Sequence, residues 1–240
     1  MNVLITGGAS GVGEAITRRL AANPANEVWF TYCTSAKPAA GLEREFRNSQ
    51  GIRCDFKEAS SLAGLLEKMA GMNLDVLVNN AISTAIAKTH FHKTGLGVFR
   101  DGFCHNILPT IEITQQAITR FREKKSGRII TLLSATVAGN PPAGYSEYTA
   151  AKAYLHSLAK SWASENAAFG IASNCISPAY MATHLTGATD ERIVEEMTSR
   201  HPLKRLLTPA ETAEAVEFYA QAPLHINGTN LLINAASEMR

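Results

Sequence analysis

The chain has 240 residues, 45% of them hydrophobic and 18% charged, which suits one α/β domain, 1–240, able to bury a full core. A net charge of +2 is too small to point to nucleic acid or a membrane surface, and no apolar run approaches the length of a membrane span. The four cysteines stand far apart with no Cys-x-x-Cys pair, which argues against a zinc site, leaves no metal expected, and fits the reduced thiols of a cytoplasmic protein.

A first strand is expected at Val3-Leu4-Ile5, starting at Asn2 and leaving no room for a signal peptide. The turn Thr6-Gly7-Gly8-Ala9-Ser10-Gly11-Val12-Gly13 follows, then a helix over Glu14 to Leu20. Strand, glycine-rich turn and helix form a phosphate cradle, because backbone N–H groups and the helix N-terminus face an anion. Gly7 serves the tight turn, Gly11 the approach to a pyrophosphate and Gly13 the packing of helix on strand. Ala9, Ser10 and Val12 line the same turn.

Glu27 to Tyr32 reads as the second strand. The residues just after it meet the adenosine ribose in dinucleotide folds, and an acid there excludes a 2′-phosphate. Here they are Cys33, Thr34, Ser35, Ala36 and Lys37, with no acid, so NADPH/NADP is expected, with NAD the alternative. A helix follows Pro38. The third strand is expected at Ile52 to Asp55, with Asp55 and Phe56 at its C-terminal end against an adenine. After a helix over Ser60 to Met69, Asp75 to Ala81 reads as a strand ending in Asn79, Asn80 and Ala81, placed to hold cofactor and neighbouring strand.

One long helix is expected over about 97–121, with Asn106 near its middle. Arg120, Arg122, Lys124, Lys125 and Arg128 then form the densest basic group. It reads as helix-end compensation on a solvated face in preference to a docking patch for an acidic partner. The fifth strand runs from Gly127 to Ser134, whose hydroxyl lies at the strand's C-terminal end, where open α/β sheets bind ligands. A Gly/Pro-rich loop leads to a helix that carries Tyr148 and Lys152 one turn apart on one face and runs to about Phe169. An ammonium near a phenol favours phenolate, so Lys152 is expected to lower the Tyr148 pKa and let it exchange a proton near neutral pH. A sixth strand at Ile171 to Ser177 precedes Pro178-Ala179-Tyr180-Met181-Ala182-Thr183. The segment at about 184–200 then breaks the rhythm as a lid does. A helix from Pro209 to about Gln221 and a strand at Asn230 to Ile233 close the chain. About seven strands with helices between them make a doubly wound parallel sheet.

Together these residues resemble the short-chain dehydrogenase/reductase family over essentially the whole chain, and most resemble its 3-oxoacyl-carrier-protein reductases. Thr6 to Gly13 matches the TGxxxGxG loop, and Asn79-Asn80-Ala81 the NNAG motif with Ile82 in place of glycine. Pro178 to Thr183 is similar to PGxxxT, with Ala179 in place of glycine. Ser10 stands where many NADPH members carry arginine, Phe169 where carrier-protein reductases often place a basic residue, and Asn234-Ala235-Ala236 where an aspartate and two glycines are usual.

The resemblance implies a Rossmann-like fold with helices on both faces and a catalytic tetrad of Asn106, Ser134, Tyr148 and Lys152. NADPH would reduce a ketone, on a small molecule or a carrier protein, with Tyr148 donating the proton. Ser134 would hold the carbonyl oxygen, and Lys152 the nicotinamide ribose. Asn106 would hold a water joining Lys152 to solvent, and Pro178, Met181 and Thr183 would lie at the carboxamide. It also implies a homo-oligomer, a dimer of dimers. Two alternatives stand beside the ketoreductase: a dehydrogenase of a free alcohol, sugar or steroid, and a non-catalytic dinucleotide sensor.

Overall fold

The computed structural model describes residues 1–84, 86, 88–182 and 190–237. Seven strands form one sheet: β1 (Asn2–Ile5), β2 (Glu27–Tyr32), β3 (Ser49–Arg53), β4 (Val76–Asn79), β5 (Gly127–Leu132), β6 (Ile171–Pro178) and β7 (Asn230–Ile233). They lie in the order β3-β2-β1-β4-β5-β6-β7, and every pairing is parallel. The order reverses between β1 and β4, so the C-terminal ends of those strands flank the crevice where such sheets take ligands.

Strand side chains alternate between two apolar layers, as the two-residue strand period requires. Val3, Ile5, Val76, Val78 and Ile130 face α1 (Gly11–Ala21), α2 (Ala36–Glu45) and α8 (Pro209–Gln221). Leu4, Leu77 and Ile129 face α3 (Ala59–Ala70) and α5 (Leu108–Lys124). Beside that second layer, α6 (Ser146–Asn166) packs Leu155 and Ala159 against Ile107, Leu133 and Cys175. The remaining helices are the short α4 (Leu96–Gly102) and α7 (Glu191–Arg200), the latter capped by Asp190, whose carboxylate accepts from Arg192 N. Among the described residues no helix is long and apolar enough to cross a membrane.

Three departures from the sequence expectation have physical reasons. β3 begins at Ser49, three residues earlier than its apolar signal, because it is an edge strand with β2 as its partner and tolerates Gln50 and Arg53 at exposed positions. β5 ends at Leu132, and Ser134 caps a 3₁₀ turn at Ala135–Val137. The long helix expected over 97–121 is α4 and α5 joined by a π-helical segment, Phe103–Ile107, which contains the buried Asn106. Pro109 follows it and brings no N–H to the helix ladder, so wider turns absorb the lost bond just before it.

Candidate active site

Side-chain hydrogen bonds of Thr6, Thr17, Thr31 and Asn80 hold the turn after β1. The Thr6 hydroxyl accepts from Asn80 N at 2.9 Å and Ala81 N at 3.0 Å, tying β1 to the end of β4. Asn80 Nδ2 donates to the carbonyls of Thr6 at 2.9 Å and Gly7 at 3.2 Å. Thr31 Oγ1 accepts from Gly7 N at 2.9 Å, and Thr17 Oγ1 donates to Gly8 O at 2.8 Å. Gly7 is in the left-handed region at φ +67°, and a Cβ on Gly13 would collide with the Gly7 carbonyl. No other residue fits this crossing of turn and helix. Thr6 opens the TGxxxGxG loop, whereas Thr17 and Thr31 carry no motif signal and only their bonding reveals them.

The turn opens a cleft of about 470 Å³. Gly7, Ala9, Ser10, Gly11, Val12 and Gly13 line its floor, Cys33, Thr34, Ser35, Asp55 and Phe56 one end, and Asn80 and Ala81 the other. Ile82, Ser83 and Lys57 also line it, and the sequence reading did not single out the last two. The Asp55 carboxylate accepts from Lys57 N at 2.9 Å, and this bond leads in holding its pKa below the usual carboxylate range. The cleft fits a dinucleotide: backbone that no Cβ can enter sits where a pyrophosphate needs close approach, at the N-terminus of α1.

Asn79, Pro178 and Met181 also have partners within the chain. Asn79 Nδ2 donates to Thr114 Oγ1 at 2.9 Å, fastening β4 to α5. Pro178 closes β6 in register with Ile233, and Met181 Sδ accepts from Thr212 of α8 at 3.4 Å. Thr183, and residues 184–189 of the expected lid, lie outside the described residues.

At the C-terminal end of β5 the remaining groups converge. Burial raises the Tyr148 phenol above its usual pKa, while a hydrogen bond with Ser134 pulls the other way. The Ser134 hydroxyl also accepts from Thr136 Oγ1 at 3.1 Å. Lys152 Nζ donates to the Leu132 carbonyl at 2.7 Å and lies 5.9 Å from the centroid of the Tyr148 ring. Burial brings Lys152 down to about 8, offset in part by Cys175. The lysine therefore does not shift the phenol as its spacing suggests. Desolvation dominates both groups, and Tyr148 is a protonated donor at neutral pH.

Asn106 reaches this site through the loop after β4. Its Oδ1 accepts from Ser83 N at 2.7 Å, and its Nδ2 donates to Thr84 Oγ1 at 2.7 Å. The side chain thus pins the loop that leaves the cleft. It also lines, with Tyr148 and Lys152, a recess of about 20 Å³, the size of one water.

The basic group at the end of α5 lies at the opposite end of the sheet, where β5 begins. Arg122 donates to Asn166 Oδ1 at 2.7 Å and stacks on Phe169, 4.4 Å from its centroid. Lys124 pairs with Asp75, and Arg120 bonds Glu123 and the Ala70 carbonyl. Arg128 donates to Ala222 O.

A family model described as short chain dehydrogenase matches residues 1–193. The 3-oxoacyl-(acyl-carrier-protein) reductase MabA of Mycobacterium avium is 34% identical over 223 residues, 91% of this chain and 82% of its own. The cis-4-hydroxycyclohexanecarboxylate dehydrogenase of Sinomonas cyclohexanicum is 31% identical, over 90% of this chain and 88% of its own. A solved structure described as an NAD(P)-dependent gluconate 5-dehydrogenase from Beutenbergia cavernae, with NADP bound at low occupancy, superposes with a TM-score of 0.90 at 26% identity, over 98% of this chain and 96% of that one. The chain belongs to the short chain dehydrogenase family and is an NAD(P)-dependent oxidoreductase acting on CH–OH and C=O groups.

Proposed function

We propose that this oxidoreductase is an NADPH-dependent ketoreductase and that its substrate is a 3-oxoacyl thioester. The observation that carries the reaction is the half-buried Tyr148 phenol, bonded to Ser134 and lining, with Asn106 and Lys152, the recess beside the dinucleotide cleft. Bound in the cleft, a reduced nicotinamide supplies the hydride. Ser134 donates a hydrogen bond to the substrate carbonyl and stabilises the charge that develops on its oxygen. Tyr148 gives that oxygen its proton, leaving an alcohol. Lys152, held by the Leu132 carbonyl and with its pKa near neutral, restores the proton to the phenol. Thr34, Ser35 and Lys57 at the ribose end, with no acid directly after β2, support NADP over NAD, and the bound NADP of the Beutenbergia structure agrees.

A thioester is supported by the likeness to MabA. A second reading, a free hydroxy or oxo acid, has its own observation: the basic group suited to carrier docking is bonded within the chain, and Phe169 of that region stacks on Arg122. We also propose a homo-oligomer, a dimer of dimers, and a reducing, cytoplasmic setting for the four unpaired cysteines. The test is initial rates with acetoacetyl thioesters and with free oxo acids, each with NADPH and with NADH. Faster turnover with NADH overturns the cofactor assignment. Rates confined to the free acids overturn the thioester.

A further inference from the structure

Two of the four cysteines meet at one end of the cleft. β2 and β3 pair in parallel, with Thr31 beside Ile52 and Tyr32 beside Arg53. The ladder runs one residue past both strands, because Cys54 N donates to the Tyr32 carbonyl at 2.7 Å. The same register therefore sets Cys33 beside Cys54. Alternation also gives the two one face. Trp29 of β2 and Ile52 of β3 lie in the layer beneath α3 and α5, and Cys33 and Cys54 follow them at even spacing. Neighbouring strands stand about 4.8 Å apart, inside the roughly 4.4–6.8 Å between the Cα atoms of a disulfide. The other two thiols have no such neighbour: Cys104 is in the π segment, and Cys175 is in β6, toward the far side of the sheet from β3.

Each sulfur has its own partner in the reduced protein. Cys33 is exposed, and its thiol faces the Asp55 carboxylate. Cys54 is 4% exposed, and its Sγ donates to the Ser61 carbonyl at 3.7 Å. Both cysteines line the cleft, with Thr34, Ser35, Asp55 and Phe56 around them. Burial and then Asp55 raise the Cys33 thiol, and burial pushes Cys54 up to about 11, with Cys33 among the groups that act on it. Thiols so placed carry little thiolate at neutral pH, so they react slowly.

We infer that Cys33 and Cys54 are an oxidisable dithiol, which a hydroperoxide converts to a disulfide, and that this disulfide excludes the adenosine end of the dinucleotide. The exposed Cys33 attacks one oxygen of hydrogen peroxide as its thiolate. The O–O bond breaks, hydroxide leaves and takes up the proton that the thiol released, and Cys33 becomes a sulfenic acid. The Cys54 sulfur then attacks the Cys33 sulfur, and the sulfenic oxygen leaves with the Cys54 proton as a second water. The two thiols lose two electrons and the peroxide gains them. To make the bond Cys33 must turn away from Asp55, and Cys54 away from Ser61. Thr34 and Ser35 follow Cys33 directly, so the cleft wall moves with it. Ser61 Oγ also accepts from Asp55 N at 3.0 Å, which couples Asp55 to the same movement. A bound dinucleotide in turn covers Cys33 and shields it from peroxide. The inference rests on the dinucleotide reading of the cleft and adds a covalent modification to it.

The test exposes wild type, Cys33→Ser and Cys54→Ala to hydrogen peroxide for hours, with and without saturating NADP, and then blocks free thiols with N-ethylmaleimide. Peptide mapping of wild type is expected to show Cys33 joined to Cys54 within one chain, with the loss of two hydrogens, and dithiothreitol is expected to restore both thiols. NADP is expected to slow the joining. Fluorescence titration compares each protein with its own untreated sample. NADPH binding should weaken about tenfold or more in oxidised wild type alone, the loss of one good hydrogen bond, and recover with dithiothreitol. Cys33 carried to sulfinic acid, Cys33 joined to another chain, or both thiols still open to maleimide overturns the dithiol. A disulfide that leaves NADPH affinity unchanged, or an equal loss of affinity in the variants, overturns the exclusion. If untreated wild type binds no dinucleotide, the cleft reading fails and the exclusion with it, while the peptide map still decides the dithiol.

Discussion

Tyr148 and Lys152 share one turn of α6, yet burial treats them in opposite ways. The phenol is driven up and the ammonium down to about 8, so both neutral forms gain near physiological pH. For Tyr148→Phe we expect turnover to fall by ~10²–10⁴-fold, the usual contribution of a general acid, with cofactor affinity nearly unchanged. A rate above about a tenth of wild type would remove Tyr148 from the proton step. Lys152→Met gives the complementary test. A depression from 10.5 to about 8 means that the charged lysine opposes folding, on the order of 3 kcal/mol before credit for its bond to Leu132. Between about pH 8 and 10.5 the unfolded chain binds the proton that the native lysine has lost, so the lysine's contribution to wild-type stability rises with pH in that window. The inactive Lys152→Met protein should therefore unfold at a higher temperature than wild type at pH 7, with the gap narrowing toward pH 10. Melting curves at the two pH values check this, and a gap that is absent or widens contradicts it. The four-residue spacing was legible in the sequence. The direction of the phenol's shift was not, because desolvation depends on neighbours that spacing does not name.

At the scale of elements, the strands and the glycine turn were legible because apolar alternation and backbone geometry are written locally. The π segment was not. Its cause is the pairing of Pro109 with a buried Asn106, whose side chain reaches back more than twenty residues to Ser83 and Thr84. Thr17 and Thr31, which also brace the cradle, escaped for the same reason, since they matter through partners elsewhere in the chain. After β7 a local signal does carry a physical cost. Ala235 and Ala236 follow Asn234, and both are left-handed, at φ 50° and 59°. Left-handed backbone costs a residue with a Cβ roughly 1–2 kcal/mol, against about 0.4–1 kcal/mol of unfolded-state entropy that glycine gives up. The double change Ala235→Gly, Ala236→Gly should stabilise the protein by about 1 kcal/mol and raise Tm by about 2–4 °C for a chain of this size. An unchanged or lower Tm in scanning calorimetry would show that the turn rearranges to relieve the strain.

For the whole molecule, two groups stand out among the exposed apolar side chains of the described residues, while others such as Phe91, Leu96 and Leu203 lie outside both. Phe103 and Tyr154, whose rings meet edge-on at 5.5 Å, join Leu108 on the face made by the π segment, α5 and α6. Phe218, Leu224 and Leu231 gather around α8 and β7 at the edge of the sheet. β7 pairs with β6 on its inner side, and an apolar edge strand is a liability unless a partner covers it. We propose that each patch pairs with its own copy; each such pairing would supply a two-fold axis, and two perpendicular axes would close a tetramer. We therefore expect light scattering at micromolar concentration to give a mass near four times the 25.8 kDa chain. Leu108→Lys should break the helical interface and Leu231→Lys the strand-edge interface, each leaving dimers, and the double variant should be monomeric. Because these side chains are exposed in the single chain, the variants should fold, and unchanged circular dichroism confirms that the mass reports assembly. A monomeric wild type overturns the assembly, and single variants that remain tetrameric overturn the assignment of its interfaces.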